Sequence, residues 1–299
     1  YQPKELVLTA RAGTPLAEIE ALLAEQGQML PFEPPHFGQP ATLGGCIATG
    51  LSGPRRPYAG AARDFVLGVR IIDGTGQPLR FGGQVIKNVA GYDVSRLMVG
   101  ALGTLGLITE VSLKVLPKPA AETTLQFELG EAAAIEKMNQ WAGQPLPLSA
   151  SSWHAGLLTV RLSGAASAVK AAQARLGGDT LRDAAAFWQR LRDQATPFFG
   201  KRPLWRLAVK PTTPPLNLGD AQWIEWGGAV RWLASDLPAA KLREAAKTAG
   251  GHATLFRGSA PADGVFTPLP TAMLTLHRAL KQRFDPKGIF NRGRLYPDF

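Results

Sequence analysis

At Pro117 and Pro119 the chain changes character, and that break restricts it to folds built from two differently composed parts. Residues 1–118 hold 11 Lys and Arg against 9 Asp and Glu, a net of +2, and no tryptophan. Residues 119–299 hold 22 against 14, a net of +8, and all seven tryptophans, from Trp141 to Trp232. A chain of 299 residues is long enough for two cores. A basic, Trp-rich surface on the second part suits an acidic partner, an anionic membrane face or nucleic acid. No Lys/Arg run or RNA-binding signature supports nucleic acid.

In the first part, ELVLTAR (5–11) reads as a strand. Thr14 and Pro15 then start a helix, Thr14 as N-cap, with Leu16, Ile19, Leu22 and Leu23 as its apolar stripe and Gly27 as its end. QMLPF (28–32) reads as a second strand. PATLGGCIATGLSGPRRPYAG (40–60) follows, with five glycines, three prolines and no acid, and reads as a loop whose bare backbone N–H groups face a ligand. FVLGVRIID, GTGQ and PLRF form a hairpin, and YDVSRLMVG a short helix. GALGTLGLITEVSLKVLP (100–117) ends in strict alternation, Val111, Leu113 and Val115 on one face, which is a half-buried strand.

Beyond Pro119, TTLQFEL, LLTVRL, LWRLAVK, QWIEW, AVRWLA and ATLFR read as strands. Helical patterns cover 131–142, 165–176, 182–194 and 238–249, which predicts an α+β sandwich with helices on one face of a sheet. A last helix spans about 270–284 before FDPKGIFNRGRL.

The glycines Gly100, Gly103 and Gly106 run into a strand with GxxGxxG spacing, so they are not a Rossmann fingerprint. A P-loop motif is absent. The single cysteine, Cys46, excludes an internal disulfide and a Cys-based metal cluster in this chain, reads as a small buried hydrophobe, and fits a reducing, cytoplasmic setting. His36, His154, His252 and His277 are scattered singly and predict no metal site. Arg55 and Arg56 either clamp a carboxylate, stay solvated or meet a partner. The chain opens on Tyr1 in a strand-like run, from which a preceding segment is expected. Two glycine-threonine segments, TLGGCIATGLS and GTLGLI, would form an extended slot of backbone donors if they met, suited to a long cofactor with a central pyrophosphate.

PATLGGCIATGLSG, RDFVLGVRIIDGTG and NVAGYDVSRLMVGALGTLGLITEVSLKVLP, in that order over about 110 residues, resemble the FAD domain of the vanillyl-alcohol-oxidase (PCMH-type) family, and the tail FDPKGIFNRGRL is similar to its closing segment. GTPLAEIEALL, PFEPP, GLSGPRRPY and KNVAGYDVSRL bring the chain closer still to the FAD-binding subunits of bacterial glycolate oxidases. The resemblance implies an α+β fold: a PCMH-type FAD-binding domain over 1–118, its first part lying before Tyr1, an inserted α+β sandwich cap over 119–280, and a tail over 281–299 returning to the FAD domain. It implies noncovalent FAD, with Thr42, Gly44 and Gly45 in the first flavin loop. Thr49, Gly50, Leu51 and Ser52 would lie at the pyrophosphate or ring edge, and Gly103, Thr104, Leu105, Gly106, Leu107 and Ile108 along the adenine half. The family's glycine-serine pyrophosphate loop is absent from this chain, and NRGR carries Arg292 where proline is common.

The catalytic relatives carry an H-x-G-x-G-N-x-H segment that binds metal and substrate, and it is missing here, so the catalytic residues are unassigned. The favoured function is a flavin-bearing subunit of a multi-subunit glycolate oxidase. In it, a sister FAD subunit oxidises glycolate to glyoxylate, an iron–sulfur subunit takes the electrons, and the Trp-rich cap is a docking face. The complex is expected in the cytoplasm, with peripheral contact at the inner membrane face open. A self-sufficient FAD-dependent 2-hydroxy-acid dehydrogenase of D-lactate type and a flavin-free scaffold are the alternatives.

Overall fold

The computed structural model describes residues 1–38, 41–84, 92–219 and 221–297. Residues 88–91, the start of the NVAGYDVSRL motif, lie outside them. The chain divides into two compact units, the first of Tyr1–Gly53, Gly60–Lys118 and Pro268–Phe299, the second of Pro54–Ala59 and Pro119–Thr267. Two stretches fall elsewhere than the expected domain limits. Pro54–Ala59 belongs with the second unit, and the whole last helix belongs with the first rather than from residue 281 onward.

The first unit contains β1 (Val7–Arg11), α1 (Leu16–Glu25), α2 (Leu43–Thr49), β2 (Val66–Ile72), β3 (Pro78–Gly82) and β4 (Leu107–Lys114). These strands form one antiparallel sheet in the order β1-β4-β2-β3. Alternation on β4 works as expected: Val111, Leu113 and Val115 are buried, and Ser112 compensates its burial by hydrogen bonding to Thr9 Oγ1 at 2.8 Å. Leu16, Ile19 and Leu23 of α1 pack with Phe32, Ile47 and Ile71, while Leu22 points outward. Pro15, not Thr14, is the N-cap of α1. Of QMLPF only Gln28–Met29 is a strand, paired with Leu116–Pro117. The tight turn of the β2–β3 hairpin is held by Asp73, whose Oδ1 accepts from Thr75 N and Gln77 N, both at 2.9 Å.

The second unit contains β5 (Ala121–Glu128), α3 (Glu131–Ala142), β6 (Leu148–His154), β7 (Leu157–Gly164), α4 (Ala166–Leu176), α5 (Ala184–Arg192), β8 (Leu204–Ala208), β9 (Gln222–Glu225), β10 (Val230–Ala234), α6 (Ala239–Thr248) and β11 (His252–Arg257). With the short strand Asp179–Thr180 at its edge, the antiparallel sheet runs β5-β7-β6-β9-β10-β8-β11. Strand β6 escapes sequence reading because PLSASS lacks the β-branched and aromatic residues of a strand. Ala155 and Gly156, both at positive φ, close its hairpin with β7.

Helices lie on both faces, not one. Ile224 and Trp223 are sequence neighbours on β9 and so point to opposite sides. Ile224 packs with Ala134, Ile135 and Met138 of α3, and Trp223 with Trp188 and Leu191 of α5. Six of the seven tryptophans are buried, and only Trp226 is half-exposed. They build the core of this unit and supply little of its surface.

The last helix, α7 (Thr271–Phe284), returns to the first unit, where its Phe284 meets Phe81 of β3 edge-on at 6.3 Å.

Candidate functional site

Residues 43–49, read as loop, are helical because Thr42 caps them: its Oγ1 accepts from Gly45 N at 3.2 Å. The other first-turn amides are also engaged inside the unit. Leu43 N donates to Thr14 O at 2.9 Å, Gly44 N to Ala12 O at 2.7 Å and Cys46 N to Thr42 O at 2.9 Å. The expected row of free backbone donors is therefore not there. Gly44 is required by packing, since a Cβ on it would lie 2.6 Å from Ala12 Cβ.

Gly50 ends α2 in the left-handed conformation at φ 63°. Its N–H returns to Cys46 O, and a Cβ there would come within 2.9 Å of Gly100 N. Gly100 N in turn donates to Ile47 O at 3.0 Å and Leu102 N to Ala48 O at 2.8 Å. The two glycine-rich segments do meet, backbone on backbone, and the second satisfies carbonyls that the end of α2 leaves open. Leu51 and Ser52 are half-buried beside this seam, and Ser52 Oγ accepts from Ala62 N at 3.0 Å.

The 100–108 segment is fixed from behind by α7 and the residues after it. Lys281 is buried and its Nζ donates to Thr104 O at 2.8 Å, Phe290 O at 2.6 Å and Asp285 Oδ2 at 2.6 Å. Asp285 also accepts from Ile289 N and Phe290 N. Burial pushes the Asp285 carboxyl up, but these hydrogen bonds and the Lys281 charge outweigh it and hold the group below the usual carboxylate range. Asn291 Nδ2 donates to Leu102 O at 2.6 Å, and a Cβ on Gly103 would meet that amide at 2.8 Å. Sequence reading missed this clasp, although the i,i+4 spacing of Lys281 and Asp285 was its signal.

Among the expected adenine-side residues, Thr104, Leu105 and Ile108 are interior: the Thr104 hydroxyl is given to Ala101 O at 2.7 Å, and Leu105 and Ile108 belong to the core. Gly106 is buried too, and only Leu107 stands well exposed. Arg55 is no carboxylate clamp for a ligand: it is buried in the second unit and bonds Glu122 Oε2 at 2.8 Å. Burial, with Glu20 nearby, pushes the Cys46 thiol up to about 12, so it is inert packing. Among the described residues no group of His, Cys, Asp and Glu is placed to hold a metal.

What remains open is a bare strip. Gly45 is exposed at ordinary helical φ, and a Cβ there would touch only Thr42 Oγ1, at 3.3 Å. Thr49, one turn on, is exposed, its Oγ1 donating to Gly45 O and Cys46 O and left to accept on its outer side. Gly100 carries nothing within 4 Å of its Cβ position except Thr49 O at 3.9 Å. A helical glycine costs about 1 kcal/mol against alanine, and no neighbour explains Gly45, whereas Gly100 is held to glycine by its φ of 80°. Gly45, Thr49 and Gly100 fit an extended flat group lying directly against backbone.

Comparison with known proteins agrees with that chemistry. Residues 1–82 match the family described as the FAD binding domain, so FAD is the cofactor of this region. The chain is 50% identical over all 299 residues to glycolate oxidase subunit GlcE of Escherichia coli, covering 84% of that protein. Glycolate oxidase subunit GlcD of Bacillus subtilis is 35% identical over 133 residues, 44% of this chain and 28% of its own length. A D-lactate dehydrogenase of Anaerostipes hadrus is 35% identical over 126 residues, 42% and 26% of the two chains. The fold is that of alkyldihydroxyacetonephosphate synthase, with a TM-score of 0.63 at 18% identity, over 97% of this chain and 65% of that one. The chain belongs to the family of the glycolate oxidase subunit GlcE.

Proposed function

We propose that this chain is the FAD-bearing GlcE-type subunit of a heteromeric glycolate oxidase, which converts glycolate to glyoxylate. The observation that carries the reading is the bare strip of Gly45, Thr49 and Gly100, of which Gly45 and Thr49 lie inside residues 1–82, the stretch that matches the FAD-binding family. When bound, FAD supplies the acceptor for the two electrons removed from a 2-hydroxy acid. The chain's own residues position it. Gly45 and Gly100 would let it approach the backbone, Thr49 Oγ1 would be open to accept a hydrogen bond from it, and Leu51, Ser52 and Leu107 would lie beside it. Gly44, Gly50, Gly103 and Thr104 act behind that surface, by allowing the two segments and the α7 clasp to close on one another.

Partner subunits complete the reaction in this reading. The relatives' names, GlcE and GlcD, both describe subunits of glycolate oxidase, which supports a sister flavoprotein subunit. One cysteine cannot ligate an iron–sulfur cluster, so an iron–sulfur subunit would carry the electrons on. Among the described residues no helix is long and apolar enough to cross a membrane. A cytoplasmic complex that touches the membrane through its partners is part of the proposal.

The test is the visible absorption spectrum of the chain purified alone, before and after anaerobic glycolate. Flavin bands that stay oxidised alone and bleach once the partner subunits are added support the subunit reading. Flavin bands that bleach without partners replace it with a self-sufficient dehydrogenase.

A further inference from the structure

We propose that the second unit holds a recognition site for a small carboxylate, centred on Arg206 and completed by Arg56 and Trp226. The register of the sheet puts one row of side chains on one face: Arg206 opposite Trp232, Trp232 opposite Trp223, and Trp223 opposite His154. His154 lies flat on Trp223, with centroids 4.3 Å apart and planes 8° apart. Arg206 stands at the other end of this row, its guanidinium 4.9 Å from the ring centroid of Trp226 and 5.7 Å from that of Trp232. Those rings face the charge without accepting its N–H groups in the plane. Among the described residues, nothing hydrogen-bonds to the Arg206 guanidinium.

A half-buried guanidinium whose five donors meet no protein acceptor keeps them for solvent or for a ligand. Glu225, the acid that acts on it electrostatically, makes no ion pair with it. Its Oε2 accepts instead from Trp232 Nε1 at 2.7 Å. Burial pushes the Glu225 carboxyl up to about 7, against the pull of Trp232 and Arg206, so it is an incomplete counter-ion at neutral pH. Burial, and then repulsion by Arg56, bring Arg206 down to about 10, still charged at neutral pH.

Arg56 adds a second positive charge on the same indole, 4.3 Å from the Trp226 centroid. Two guanidiniums on one ring bring two sets of N–H donors to the same side chain, and the charge of Arg56 acts on Arg206. The ring itself is placed at a conformational cost. Trp226 has φ 57°, followed by Gly227 at 64° and Gly228 at 101°. A bulky residue rarely takes that conformation, and strain of this kind collects at ligand clamps. A guanidinium fork between flat apolar walls suits a planar, bidentate acceptor, which is a carboxylate. The site stands on these residues alone and does not depend on flavin or on the oxidase reading.

Calorimetric titration of the full chain with sodium glycolate and sodium acetate tests it, with glycolamide as the neutral control of the same shape. Wild type binds both acids saturably and ignores the amide. Arg206→Lys, which keeps charge but loses the fork, weakens binding roughly 10-fold, and Arg206→Met roughly 100-fold, as expected for loss of charge-assisted hydrogen bonds. Arg56→Gln, at an exposed position that leaves the fold alone, weakens it by a smaller factor. Unchanged binding in both Arg206→Lys and Arg56→Gln, or equal binding of the amide, overturns the site. So does the absence of saturable heat from wild type at about 50 mM acid, where even a ~1 mM site is filled. Displacement of glycolate by an equal concentration of inorganic sulfate overturns the carboxylate assignment.

Discussion

The glycine seam of the first unit and the tryptophan face of the second solve opposite problems. In the seam the backbone is the packing surface. Gly44 against Ala12, and Gly50 against Gly100, leave no room for side chains, and each first-turn amide of α2 has a partner inside the unit. On the tryptophan face large rings fill the space, and among the described residues the Arg206 guanidinium has no hydrogen-bond acceptor. A bare stretch of sequence is therefore not automatically a ligand surface. Gly44, Gly50 and Gly103 serve the protein's own closure, and Gly45, with only Thr42 Oγ1 near its Cβ position, points outward.

The largest expected effect breaks the closure of the seam from behind. Lys281→Met leaves Asp285 buried without its cation and should cost about 3–5 kcal/mol in chemical denaturation; a loss below 1 kcal/mol would mean the clasp is ornamental. Because the folded Asp285 carboxyl lies below its usual range, its contribution is present above the unfolded carboxylate pKa and fades as acid protonates it. The variant should therefore also show a shallower acid limb.

Gly50→Val comes next. It combines a left-handed φ, about 1–2 kcal/mol, with overpacking against Gly100, about 1–3 kcal/mol. Thermal unfolding should show the first unit melting earlier while the second keeps its transition. A single unshifted transition contradicts the close approach at Gly100.

On the tryptophan face, Glu225→Gln should flatten the pH dependence of stability. The folded carboxyl is raised from 4.5 to about 7, so its favourable contribution is full below the unfolded pKa and is lost as pH rises through about 7. Melting temperatures followed across that window should fall in wild type and stay level in the variant. A parallel slope in both would place the titration elsewhere.

The smallest effect concerns Cys46. With its thiol at about 12, iodoacetamide near neutral pH should leave the native chain unmodified by mass spectrometry and alkylate it only after denaturation. Rapid modification of the folded chain would show that α2 opens readily.

Much of the fold was legible where local pattern and tertiary context agree. The β2–β3 hairpin announces itself by its glycine turn, β4 by its alternation, and α3, α4, α5, α6 and α7 by their periodicity, each within a residue or two. What was hidden depends on partners distant in sequence. Nothing in GPRRPY says that Arg55 will pair with Glu122 or that Arg56 will lie on Trp226. LWRLAVK reads as an ordinary strand, and only the register opposite Trp232 makes Arg206 distinctive. The reach of the candidate site was visible in its glycines, but not their division of labour. Separating Gly45 from Gly44 needs Ala12, which sits 32 residues earlier in the chain.

The outward strip at Gly45 exists, in this reading, to hold FAD. The direct measurement is the flavin-to-protein ratio of the purified full chain, wild type against Gly45→Val, with melting temperatures taken on the same samples. Wild type should carry bound flavin and Gly45→Val almost none, at closely similar melting temperatures, since among the described residues only Thr42 Oγ1 stands near the new Cβ. Flavin retained by Gly45→Val at the wild-type ratio would contradict it.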